Sequence, residues 1–301
     1  MGNSGLDESG SPVTLRTVAE VRAWRKGKDS VGFVPTMGAL HQGHLDLVSC
    51  AKEQNDFVIV SIFVNPSQFA PHEDLDKYPR DIESDLIKLR GLADAVFVPP
   101  VSEMYPSGIV LDVSNQSGTF VEVLGKSHQM EGAIRPHFFR GVATVVTKLL
   151  NIVQPTQLFL GQKDVQQCVV VKALISDLCL DVKPVVVPIR REDSGLAMSS
   201  RNQYLDSECR AALAPILYKG LLSALDAFKS GRFDRKSLLE CATEIITQKP
   251  DVHLEYLSLA HPVSLAELES IGSDGAILSG AMRVGAAQVR IIDNILLGCH
   301  L

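Results

Sequence analysis

No stretch of this 301-residue chain approaches eighteen consecutive apolar residues, so the sequence gives no support for a transmembrane helix. Positive charge is scarce: 29 Lys and Arg against 35 Asp and Glu leave a formal net charge of −6. That balance argues against a broad nucleic-acid-binding surface, and an anionic ligand must be met by a local basic cluster. The six cysteines form no C-x-x-C pair and sit mostly in apolar stretches, which reads as reduced core thiols. The opening MGNSGLDESGSP has neither the apolar core of a signal peptide nor the arginines of a transit peptide. Leu6 stands where a myristoylation signal needs Ser or Thr. A disordered tail over residues 1–12 and a cytosolic protein are expected. No internal repeat occurs.

What is present suffices for two domains, with 46% hydrophobic residues. From residue 13 to 189 strand and helix patterns alternate. Ser30–Pro35 reads as a strand, about Gly43 to Gln54 as a helix, and the β-branched run Phe57–Val64 as a strand buried on both faces. Asp81–Leu92 reads as a helix, Ala93–Val98 as a strand, and VATVVTKLLNIV as a helix with a nearly all-apolar face. Gln157–Leu160 and Asp181–Ile189 are strands around a helix over Val165–Leu178, and Thr14–Arg25 suits a short amphipathic helix. This alternation predicts an α/β domain with a doubly wound parallel sheet, Rossmann-like, whose ligands lie at the carboxyl ends of the strands. Residues 190–301 change rhythm. A charged segment, RREDSGLAMSSRN, has the look of a mobile loop or hinge. Two helices follow, Asp206 to Phe228 and Asp234 or Ser237 to Thr247, and then antiparallel strands over Val252–Ala260, Ala276–Val284 and Ala287–Ile292. A smaller α+β domain is expected there.

VPTMGALHQGHLD, Val34 to Asp46, packs a strand end, a glycine turn, two histidines and a helix start into one stretch. A strand that ends at Gly38 and restarts as a helix near Gly43 is expected to leave free backbone N–H groups and a positive helix end facing one crevice. His41 and His44 fall on one side of the first turn, so both imidazoles can donate to one anion, and Gly43 lets a ligand approach the backbone. Two zinc ligands would have the same spacing, but the glutamate of H-E-x-x-H is absent and no third ligand is evident nearby. Three further motifs sit at strand ends or in the hinge. They are Gln68 in NPSQF, GQKDVQQ with Lys163, Asp164 and Gln167, and MSSRN, in which Ser199, Ser200 and Arg201 can donate to phosphate oxygens. The acids Asp81, Glu83 and Asp85 open a helix, where such residues offset its dipole, and one of them could assist a magnesium ion.

The histidine stretch resembles the H-x-G-H signature of the nucleotidyltransferase superfamily. PTMGALHQGH, FVNPSQF, YPRD, RPHFFRGV, GQKDVQQ and GLAMSSRNQYL follow one another from Pro35 to Leu205, and with them the chain resembles the pantothenate synthetase family. These are ligases that join pantoate to β-alanine at the expense of ATP. The carboxyl-terminal domain matches by order and size, and would serve as a lid together with the MSSR loop. The resemblance implies that His41, His44, Lys163, Ser199, Ser200 and Arg201 surround the ATP phosphates as the catalytic set. Met37, Gly43, Gly161, Asp164 and Met198 would complete the ATP site, and Gln68 and Gln167, with Met37, would hold pantoate. Magnesium would accompany ATP, with Asp85 as the assisting carboxylate, and the partner would be a second copy of the chain. Departures exist: Gln162 stands where the family commonly has Glu, and Val165 where an aromatic is usual. Phe138 fills a slot usually held by His, with His137 one place earlier, so no histidine is carried over from it. Other classes remain open: a nucleotidylyltransferase of the same superfamily, a metal hydrolase using His41 and His44, or a silent nucleotide-binding module.

Overall fold

The computed structural model describes residues 10–71, 73 and 75–301. The chain divides into two compact units, Met1–Gly161 with Val170–Val187 and Gln162–Val169 with Pro188–Leu301. The single cut expected after residue 189 is thus replaced by an exchange of the short segment Gln162–Val169.

The first unit holds a six-stranded parallel sheet in the order β1-β4-β3-β2-β5-β6. Its strands are β1 (Val13–Leu15), β2 (Val31–Thr36), β3 (Phe57–Ile62), β4 (Ala95–Phe97), β5 (Gln157–Gly161) and β6 (Lys183–Val187). The helices between them are α1 (Val18–Arg25), α2 (Gln42–Gln54), α3 (Ile82–Lys88), α4 (Val101–Met104), α5 (Glu131–Ile134), α6 (Phe138–Val153) and α7 (Val165–Asp177). Leu47, Val48 and Ala51 of α2 and Leu89 beyond α3 pack with Val34, Val60 and Val96 on one face of the sheet. The alternate residues Phe33, Ile59 and Phe97 are fully buried on the other. Apolar side chains on both faces are what a sheet covered by helices on each side demands. The strand order reverses between β2 and β5, and both strands deliver a predicted motif to the same sheet edge.

The second unit contains α8 (Ile216–Lys229), α9 (Arg235–Ile246) and an antiparallel sheet of β7 (Val252–Ala260), β8 (Ala276–Val284) and β9 (Val289–Leu297). Leu217, Leu221, Ala224, Leu238, Ala242 and Leu278 are fully buried in its core. By length and composition the run Cys209–Lys229 would suffice to cross a membrane. Its buried leucines instead fill the core of this unit.

Several local expectations need revision. Gly10 accepts a hydrogen bond from the Gly91 amide at 3.1 Å and Pro12 is buried, so residues 10–12 are not the disordered tail expected there; residues 1–9 lie outside the described residues. Thr14 and Leu15, expected as the start of a helix, instead form with Val13 an edge strand on β4. The helix proper begins after Thr17, whose side chain accepts the Glu20 amide while the Glu20 carboxylate accepts the Thr17 amide. The long helix expected from Asp206 is broken: Cys209–Leu213 forms a wider π turn ahead of Pro215, which has no N–H to continue an α ladder.

Helix α6 lies against the segment Pro66–Gln68, with Gly141 at the contact. A Cβ there would stand 2.3 Å from the Ser67 carbonyl oxygen. Alanine in a helix interior normally stabilises by up to about 1 kcal/mol over glycine. Here Gly141→Ala is expected to destabilise the fold by about 1–3 kcal/mol in urea unfolding, because backbone must move to admit the methyl. A gain in stability would contradict this packing.

Candidate active site

After β2 the chain turns through Gly38 and Ala39, both with positive φ (85° and 52°). Glycine adopts this conformation freely and alanine does not. The turn is held because its amides are taken up in succession. Gly38 N–H donates to Thr36 Oγ1 at 3.1 Å, and Ala39 and Leu40 N–H donate to the two oxygens of Asp85 at 2.8 and 2.7 Å. His41 N–H donates to Nδ1 of His44 at 3.3 Å. The free amides expected from Gly38 onward are therefore occupied through His41. The backbone donors that remain by position are those of Gln42 and Gly43, which have no intrahelical acceptor in the first turn of α2.

Asp85 is 1% exposed and both its oxygens serve the turn. Lys88 flanks it at 3.7 Å and donates to the Leu40 carbonyl at 2.8 Å. This corrects the expected magnesium role: the carboxylate is a buried acceptor that shapes the loop. Among the described residues no group of three or more His, Cys, Asp or Glu is placed to hold a metal, so a zinc site built on His41 and His44 lacks its further ligands.

The two imidazoles lie 4.0 Å apart, tilted by 34°. Because Nδ1 of His44 accepts the His41 amide, neutral His44 carries its proton on Nε2, and that N–H is the one it can offer an anion.

Gln68 closes the segment after β3. Asn65 Nδ2 donates to Gln68 Oε1 at 2.9 Å, leaving the Gln68 amide nitrogen as its outward donor, 3.3 Å from the sulfur of Met37. Asn65 is itself oriented by Tyr105, whose hydroxyl donates to Asn65 Oδ1 at 2.6 Å, and by Ser67 Oγ at 3.0 Å from the same oxygen. The structure thus places Met37 and Gln68 side by side. Asn65 and Tyr105 were not legible as site residues, although Asn65 lies inside NPSQF. His137 is exposed at the left-handed start of α6, and Phe138 lies under the Arg135 guanidinium at 3.9 Å.

Lys163, Asp164, Gln167, Met198, Ser199, Ser200 and Arg201 belong to the second unit, while Gly161 ends β5 in the first. The two glutamines expected on one substrate are therefore carried by different units. Lys163 Nζ lies 3.4 Å from Asp164 Oδ1, a neighbour pair exposed enough to yield to a phosphate. The segment expected as a mobile loop is a closed hairpin: Glu192 N–H donates to Leu196 O at 2.8 Å and Met198 N–H to Arg190 O at 2.9 Å. It delivers Ser199 as the cap of the turn Ser200–Tyr204, with Arg201 N–H on Ser199 Oγ at 3.3 Å.

Burial pushes the Tyr105 hydroxyl up to about 12, against the opposing hydrogen bonds of Ser67 and Asn65. An unfolded tyrosine ionises near ~10, so between there and ~12 the unfolded chain has lost a proton that the folded chain keeps. Stability from this group is whole below that window and falls as pH rises through it, by on the order of 2 kcal/mol. Tyr105→Phe is expected to flatten this alkaline fall in the urea midpoint. An unchanged fall would remove Tyr105 as its source.

A family model described as pantoate-beta-alanine ligase matches residues 13–296. A pantothenate synthetase of Chloroflexus aurantiacus is 51% identical over 284 residues, covering 94% of this chain and 97% of its own. A pantoate–beta-alanine ligase of Saccharomyces cerevisiae is 42% identical over 307 residues, covering 94% and 99%. A solved pantothenate synthetase of Thermus thermophilus superposes with a TM-score of 0.86 at 43% identity, over 94% of this chain and 98% of that one. A Francisella tularensis pantoate-beta-alanine ligase, crystallised with beta-gamma ATP and beta-alanine, gives a TM-score of 0.70 at 31% identity, over 95% and 98%. With sequence likeness and fold agreeing over nearly the whole length, the chain belongs to the pantoate–β-alanine ligase family.

Proposed function

We propose that this protein condenses pantoate with β-alanine at the expense of ATP, through a pantoyl adenylate, releasing AMP and pyrophosphate. The observation that carries the reading is the turn from Gly38 to His44, in which Asp85 and the His41 amide set two imidazoles at the start of α2. The pantoate carboxylate is already anionic at neutral pH, so its attack on the α-phosphorus needs positioning and charge compensation rather than a base. Gln68, turned by Asn65 to present its amide nitrogen, and Gln167 are assigned to pantoate, with Met37 as an apolar wall. His41, His44, Lys163, Ser199, Ser200 and Arg201 are assigned to the phosphates and to the leaving pyrophosphate. Gly43, Gly161, Asp164 and Met198 complete the nucleotide site. Magnesium enters as the counter-ion of ATP, held mainly by its phosphates.

The mixed anhydride is destroyed by water, and closure of the second unit as a lid belongs to this proposal. β-Alanine then attacks the carbonyl carbon as the free amine, and the C–O bond to AMP breaks. A homodimer is proposed on family membership. A cytosolic location is supported by six free cysteines, as a reducing compartment would leave them.

Isotope exchange between pyrophosphate and ATP tests the first half-reaction. Exchange is expected with pantoate present and β-alanine absent; exchange indifferent to pantoate would contradict the proposal. His44→Ala is expected to lose about 10²-fold or more of this exchange while its circular dichroism stays native. Gln68→Ala is expected to raise the KM for pantoate with a smaller change in kcat. Wild-type behaviour in either variant would remove that residue from its role.

A further inference from the structure

The exchange of Gln162–Val169 into the second unit has a physical source in β9. Asn294, paired with Ser279 of β8 in the middle of the small sheet, is 1% exposed. Its Nδ2 donates to the main-chain oxygens of Gln162 at 2.9 Å and Lys163 at 3.1 Å, and its Oδ1 accepts Gln162 Nε2 at 3.2 Å. Both nitrogen contacts are carbonyl oxygens, so the orientation of the amide is fixed by its partners. Two successive peptide planes are thereby pinned on either side of the Lys163 Cα, which sets the direction in which its side chain leaves the backbone.

The preceding residue performs a parallel task. Asp293 is 4% exposed and accepts both arms of Arg191, at 2.5 and 2.8 Å. Arg191 also donates to Gly195 O at 3.0 Å and lies 3.4 Å over the ring of Tyr218. It bridges Ala197 across the hairpin that ends in Met198 to Arg201. Two adjacent residues of one strand therefore hold the segment bearing Lys163 and the hairpin bearing Arg201.

We propose that Asn294 is a positioning residue for adenylation, fixing Lys163 relative to the Ser199–Arg201 hairpin so that the two cations meet the ATP phosphates as one preset pair. The proposal rests on the reading of Lys163 as a phosphate ligand. The Asn294 side chain is engaged by the Gln162 and Lys163 backbone and by the Gln162 side chain. Its effect passes through Lys163, so the two residues must be coupled energetically.

The test is a double-mutant cycle on pyrophosphate–ATP exchange with Lys163→Ala, Asn294→Ala and the double variant. Asn294→Ala is expected to lower the exchange kcat on the order of 10²-fold, with the KM for pantoate unchanged. In the Lys163→Ala background the same substitution is expected to cost no more than about twofold. An equal factor in both backgrounds would mean a general structural role and would overturn the proposal. So would wild-type exchange in Asn294→Ala. Asn294→Ser, which keeps a hydroxyl donor, is run through the same cycle in case the alanine variant does not fold. Leu238→Ala, a cavity in the same core, is expected to lower the urea midpoint without changing exchange per folded molecule. If Lys163→Ala alone exchanges at the wild-type rate, the phosphate reading of Lys163 falls and this proposal with it. If Lys163→Ala loses exchange and Asn294→Ala does not, only this proposal falls.

Discussion

Burying a polar side chain without a partner is costly, and Asp85, Asn65 and Asn294 find theirs in the loops proposed above to bind substrate. Asp85 takes the amides of Ala39 and Leu40, Asn65 holds the side-chain amide of Gln68, and Asn294 takes the carbonyls of Gln162 and Lys163. Each group would destabilise the fold if left alone, and each is satisfied only when its loop has one conformation. The cost of burying these groups is thus also what removes freedom from the loops. Each loop held this way needs less ordering when a ligand binds to it.

The parallel sheet and the small antiparallel sheet were legible because their signals are local. Phe57–Val64 is rich in β-branched and apolar residues, as a strand covered on both faces must be, and the carboxyl-terminal strands are long runs rich in Val, Ile and Leu separated by turn residues. The histidine turn was legible as a place but not in its wiring. The amides of Ala39 and Leu40 read as free because their acceptor, Asp85, lies 45 or more residues away in sequence, while the Gly38 amide is taken by the Thr36 hydroxyl two residues back. The same carboxylate read as a magnesium ligand because an acid in the first turn of a helix is usually exposed, whereas this one is turned inward. Val13–Leu15 was missed as a strand because three residues carry too little periodicity to outweigh the helical pattern that follows.

The division of the chain was hidden for the same reason. Strand β5 and helix α7 are continuous in pattern, so Gln162–Val169 reads as part of the alternating domain. The long-range bonds from Asn294 tie the start of the segment to β9 of the other unit. One sign was present: Asp293 and Asn294 interrupt the apolar run IIDNILL at residues 291–297, where two adjacent buried polar residues need distant partners. Family likeness located Lys163 and Arg201 as positions without indicating that β9 tethers both of their loops.

The chemistry comes down to which bond to oxygen is made and broken. If the nucleophile in the first step is the carboxylate of pantoate, one of its oxygens must bridge to the α-phosphorus and leave with it. Pantoate labelled with ¹⁸O in its carboxylate, turned over with ATP and β-alanine, measures this directly. The AMP formed is expected to carry one labelled oxygen. Label in inorganic phosphate, or AMP without label, would contradict the adenylate route.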